Sequence, residues 1–101
     1  MMTLASDEIV CELERLLDQI GWVRARGRGA PDFLAWKEET DAALRRCFGE
    51  GSRHLSDFAL VRYTPATHSA FLDDNAQEVA FQRGLERARA ILEAAILEAE
   101  E

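Results

Sequence analysis

The sequence is short of most residues that carry chemistry. Among 101 residues there are two cysteines, two histidines and two prolines. Cys11 and Cys47 have no second cysteine or histidine at ligand spacing, which argues against a metal site. Both fall on apolar faces of expected helices, so they read as reduced core residues of a cytoplasmic protein. No apolar run is long enough to cross a bilayer, so no membrane contact is expected. The start, MMTLASDEIVCELERLL, has acids where a secretory signal needs a basic flank. Positive charge is scarce too, with 12 basic against 19 acidic residues and a net charge of -7. Such a surface repels phosphate backbones, and nucleic-acid binding is disfavoured. Glycine and proline are too few, and apolar residues at 48% too many, for a disordered chain. The length fits one small domain.

What is present is helical periodicity. A first helix is expected from Ser6 to Ile20, capped by Ser6, with Ile9, Leu13, Leu16, Leu17 and Ile20 as its apolar stripe. Gly21 is the expected stop, with Trp22 and Val23 packing just beyond it. RARGRGAPD then reads as an exposed loop carrying Arg24, Arg26 and Arg28. These arginines are either a solvated linker or a phosphate contact. Gly27 and Gly29 lack the preceding strand and the following Gly-Lys-Ser/Thr of a phosphate-binding loop.

A second helix is expected over Asp32 to Phe48, capped by Asp32. It buries Phe33, Trp36, Thr40, Ala43, Leu44, Cys47 and Phe48 and stops at Gly49. Asp41 and Arg45 form an i,i+4 pair on its outer side. Ser52 caps a short turn that points Leu55 and Phe58 inward. Leu60 to Pro65 is the only extended stretch, and one strand makes no sheet alone. It is either a connector across the helices or an edge that pairs with a second copy.

The last helix, Asn75 to Glu100, carries a heptad-like seam of Phe81, Leu85, Ala88, Leu92, Ala95 and Ala99, widened by Ile91 and Ile96. Gly84 interrupts it at a cost of about 1 kcal/mol in helix propensity, which suggests close approach by another backbone. The fold expected is all-α, with three main helices, one short helix and an extended connector near residues 60–65. A chain this small gains core by dimerising. The expected interface of a homodimer, or with a partner protein, is Phe81, Gly84, Leu85, Ala88, Leu92, Ala95 and Ile96.

Catalytic patterns are sparse. No serine has a Gly-x-Ser-x-Gly context, and no carboxylate sits inside an apolar run where its pKa would be tuned. His54 has no neighbouring ligand or base and reads as a surface residue. Arg62 and His68 are separated by five residues. That spacing resembles the R-x4-6-H motif of the HEPN ribonucleases, small helical dimers that cleave RNA. The resemblance implies an arginine that steadies phosphate and a histidine that moves a proton. Pro65 lies between the two, so they cannot share a helical face. The alternative function is therefore a ribonuclease or RNA binder using Arg62 and His68, with Arg24, Arg26 and Arg28 as further RNA contacts.

A second resemblance covers residues 33–98. Phe33 and Trp36, then Leu44, Phe48, Gly49 and Ser52, then Phe58, the extended VRYTP, and Phe81, Gly84, Leu85, Ala88 and Leu92 to Ile96 form an ordered set. The set is similar to small helical modules found with predicted nucleotide-binding TIR-like proteins of bacterial defence. It implies an accessory module that self-associates or positions an effector, with no catalytic residue and no cofactor. No TIR-like domain follows Glu101, so the chain reads as a stand-alone partner or a module of a longer protein. A non-enzymatic interaction module is the leading expectation.

Overall fold

A computed structural model describes residues 5–65 and 74–101. Four helices form among the described residues: α1 (Ser6–Arg26), α2 (Pro31–Phe48), α3 (Arg53–Ala59) and α4 (Asp74–Glu100). None of these residues forms a strand, and the expected all-α class holds.

Helix ends follow local chemistry with three corrections. Gly21 does not stop α1, which continues to Arg26 and ends at Gly27, φ 96°. The reason is the stripe: Leu13, Leu16, Ile20 and Val23 are all fully buried, and one more turn brings Val23 into the core. Burial of a valine outweighs the ~1 kcal/mol cost of a helical glycine. Trp22 does not pack; it is 53% exposed, with the Arg26 guanidinium 5.6 Å over its ring. Ser6 and Asp32 are not caps. Ala5 and Ala30 precede the two helices, and Pro31 takes the first helical turn of α2, where its missing N–H costs nothing. Gly49 (φ 91°) does end α2, and the Ser52 hydroxyl accepts the Leu55 N–H at 3.1 Å to start α3.

Contacts between helices fix the topology. Arg26 meets Asp32 (3.6 Å) at one end of α1/α2, and Arg46 meets Glu12 (3.1 Å) at the other, so these helices are antiparallel. Arg24 pairs with Glu86, and Arg28 with Asp74 and Glu78, so α1 and α4 are antiparallel as well. His54 of α3 meets Glu98, while Arg62 beyond α3 meets Gly84, which sets the third leg against α4 in the same sense. Packing runs around the ring α1–α2–α3–α4–α1, with no backbone contact across either diagonal. This is an up-down-up-down bundle.

Its third leg is deficient. At ~1.5 Å per residue, α3 is about 10 Å long and α4 about 40 Å. Leu60 closes α3 with helical backbone angles, and residues 61–65 continue the leg as the connector. Tyr63 is its anchor: 7% exposed, it lies edge-on to Phe33 at 4.9 Å, and Phe33 in turn meets Phe81 at 5.0 Å. The stretch thus lies across the helices of its own chain, as the connector reading expects.

The core explains α4. Phe81, Gly84, Leu85, Ala88, Leu92, Ala95 and Ile96, expected at an interface between copies, lie buried within the chain's own bundle. Gly84 is where the connector crosses. A Cβ there would lie 2.7 Å from the Arg62 carbonyl oxygen and still closer to Tyr63 Cδ1. The close approach inferred for Gly84 is thus made by this chain's own connector. Cys11 is exposed rather than in the core, because it lies off the Leu13–Leu16–Ile20 stripe. Cys47 is half-buried and its thiol pKa is pushed up by burial.

Candidate docking groove beside α4

Because α3 is short, the space between the third leg and α4 is incompletely filled. Three adjoining hollows run along α4, of about 370, 220 and 580 Å³. The first two share Arg62 and Arg83, and the last two share Asp57 and Arg87. Together they make one groove from Ala76 to Glu98, about 33 Å of helix at ~1.5 Å per residue. Half of the α4 residues in its wall are small: Ala76, Ala80, Gly84, Ala90 and Ala94.

Charge distinguishes this groove from the rest of the surface. Arg15, Arg24, Arg26, Arg28, Arg45, Arg46, Arg53 and Arg89 each face a carboxylate at salt-bridge distance. Lys37 lies over the rings of Phe33 (5.8 Å) and Tyr63 (5.3 Å). Arg62, Arg83 and Arg87 remain. All three are exposed, all three line the groove, and none makes an ion pair among the described residues. Among the described residues, the arginines without a carboxylate partner all lie on one face of an acidic protein.

The residues expected to contact RNA are elsewhere and spent. Arg24 and Arg26 belong to the last turn of α1 and Arg28 to the short link after it, correcting the exposed loop. Their partners are Glu86, Asp32, Asp74 and Glu78. The Arg24 hydrogen bond holds the Glu86 carboxyl below its ordinary pKa. Arg62 stands on the groove wall, and His68 lies outside the described residues, so their convergence is not part of the geometry here. His54 is not a free surface residue: its side chain is 14% exposed, packed on Phe48 (5.0 Å) and 3.1 Å from Glu98.

No group of three His, Cys, Asp or Glu among the described residues is placed to hold a metal ion. No helix among them is long and apolar enough to cross a membrane. Compared with known proteins, the chain matches no family model, no curated protein and no solved structure.

The periodicity that located the α4 seam also held the groove, one stripe over. Ala76, Ala80, Arg83, Arg87, Ala90 and Ala94 line it at alternating four- and three-residue steps, and exposed Leu97 continues the stripe beyond it.

Proposed function

We propose that this chain is a non-enzymatic interaction module that seats an acidic helical segment in the α4 groove. The observation that carries the reading is the coincidence of the unfilled third leg with Arg62, Arg83 and Arg87, the arginines without carboxylate partners among the described residues. A groove of this length and small-residue lining accepts an amphipathic helix, and the three guanidiniums select a carboxylate-bearing one. The acidic remainder of the surface repels an anionic segment and so leaves this face as the place where one can settle.

The test is a fluorescence anisotropy titration with labelled amphipathic helical peptides of acidic, neutral and basic polar faces, alongside mixed RNA. The acidic peptide binds, binding weakens with salt, and Arg83→Glu/Arg87→Glu removes it. Equal binding of all three peptides, or of none, overturns the reading. RNA cleavage that disappears in His68→Ala would replace it with the ribonuclease alternative. The resemblance to modules accompanying TIR-like proteins extends the proposal to an accessory role beside a bacterial defence effector. Reading frames adjacent to this one, tested for such an effector, check that extension.

A further inference from the structure

We propose that the occupant of the groove is α4 of a second copy of this chain, laid antiparallel to form a symmetric dimer. The inference rests on the docking reading and adds the identity of the partner.

The first argument is spacing. The groove stripe, extended to exposed Leu97 beside it, maps onto itself when reversed about a point between Arg87 and Ala90. In that register Arg87 faces Ala90 of the second copy, Arg83 faces Ala94, and Ala80 faces Leu97. Every long side chain meets a methyl group, so the two helices can approach closely. A two-fold axis repeats each such contact, as a symmetric dimer requires. A parallel arrangement would stack arginine on arginine and leucine on leucine.

The second argument is charge. The basic half of the groove ends at Arg87, and the rest of α4 is acidic on its exposed sides. Glu93 and Glu100 are exposed and make no ion pair among the described residues. Glu98 is held only by His54. The antiparallel register brings Arg83 and Arg87 of each copy within about one turn of Glu93 and Glu98 of the other. The arginine stems cover Ala90 and Ala94 while their guanidiniums reach those carboxylates. Charges unpaired within one chain find their complements in its copy.

Sedimentation equilibrium tests this on the full chain, with circular dichroism confirming that each variant is folded. The unaltered chain dimerises in the micromolar range, and salt weakens it. Arg83→Glu/Arg87→Glu and Glu93→Arg/Glu98→Arg each weaken self-association about tenfold or more. An equimolar mixture of the two variants restores a dimer, because the reversed charges again oppose. A monomeric chain at high micromolar concentration overturns the proposal, and so does a dimer indifferent to both reversals. If the chain is monomeric but still binds the acidic peptide, the groove stands as a docking site and only the second copy is rejected. If it neither dimerises nor binds the peptide, both readings fall.

Discussion

The same substitution, Gly→Ala, is expected to act with opposite sign in two helices of this protein. Gly21 lies within α1 and Gly84 within α4. In each, alanine removes backbone freedom from the unfolded chain and favours helix by about 1 kcal/mol. A Cβ at Gly21 meets nothing within 4 Å, so Gly21→Ala stabilises by about that amount. At Gly84 the new methyl would lie 2.7 Å from the Arg62 carbonyl oxygen and inside contact distance of the Tyr63 ring. The carbonyl is backbone and has no rotamer to change. Tyr63 is pinned by its edge contact with Phe33. Relief therefore means lifting the connector off α4, and overpacking of this kind costs about 1–3 kcal/mol. Set against the helix gain, the net loss for Gly84→Ala is up to about 2 kcal/mol, which places it about 1–3 kcal/mol below Gly21→Ala. Thermal unfolding followed by circular dichroism resolves this gap, since about 4–8 °C accompanies each kcal/mol in a domain near this size. A Gly84→Ala protein stabilised as much as Gly21→Ala would refute the crossing of the connector at that position.

Tyr63 is the one tyrosine of the chain, and its buried hydroxyl has no hydrogen-bond partner among the described residues. Tyr63→Phe is therefore neutral or stabilising by up to about 1 kcal/mol in urea unfolding, against a loss if the hydroxyl were bonded. Burial pushes the Tyr63 pKa up, so folding gains stability below the unfolded value and loses it as pH rises above about 10. Phenolate absorbance should thus appear only with alkaline unfolding, and early titration of a folded chain would contradict the burial. The Arg15 hydrogen bond, aided by Arg46, holds the Glu12 carboxyl below its ordinary 4.5. Its contribution is present above that value and fades as pH falls through the lowered pKa. Glu12→Gln should accordingly flatten the fall in stability between about pH 5 and pH 3. Trp36 Nε1 donates to the Leu16 carbonyl at 3.0 Å in the core. Trp36→Phe, which loses that bond and part of the edge contact with Phe58, should cost about 1–2 kcal/mol in the same urea assay.

Signals confined to a few residues were readable without coordinates. The inner stripes of α2 and α4, the stop at Gly49, the Ser52 cap with Leu55 and Phe58 turned inward, and the Asp41–Arg45 pair (3.3 Å) depend on neighbours within one or two turns. They decided the all-α class and the lengths of the later helices. Gly84 could be flagged, because a glycine inside a long helix needs a reason, but what crosses it could not.

Tertiary structure decided everything that depends on which surface meets which. Gly21 and Gly27 are equally plausible stops by composition. Only the cover provided by α4 makes Val23 worth another turn. The α4 seam is apolar whether it faces a second chain or its own bundle; the packing of α1 and the aromatic trio Phe33, Tyr63 and Phe81 settled that it faces inward. The arginines divide in the same way. Arg24 and Arg28 looked free and are neutralised by residues of α4, Arg24 by one 62 positions away, whereas Arg83 and Arg87 sit among acids in sequence and yet make no ion pair among the described residues. Helix formation is local, so the sequence determined it; burial and charge neutralisation are relations between distant residues, so only the folded bundle could assign them.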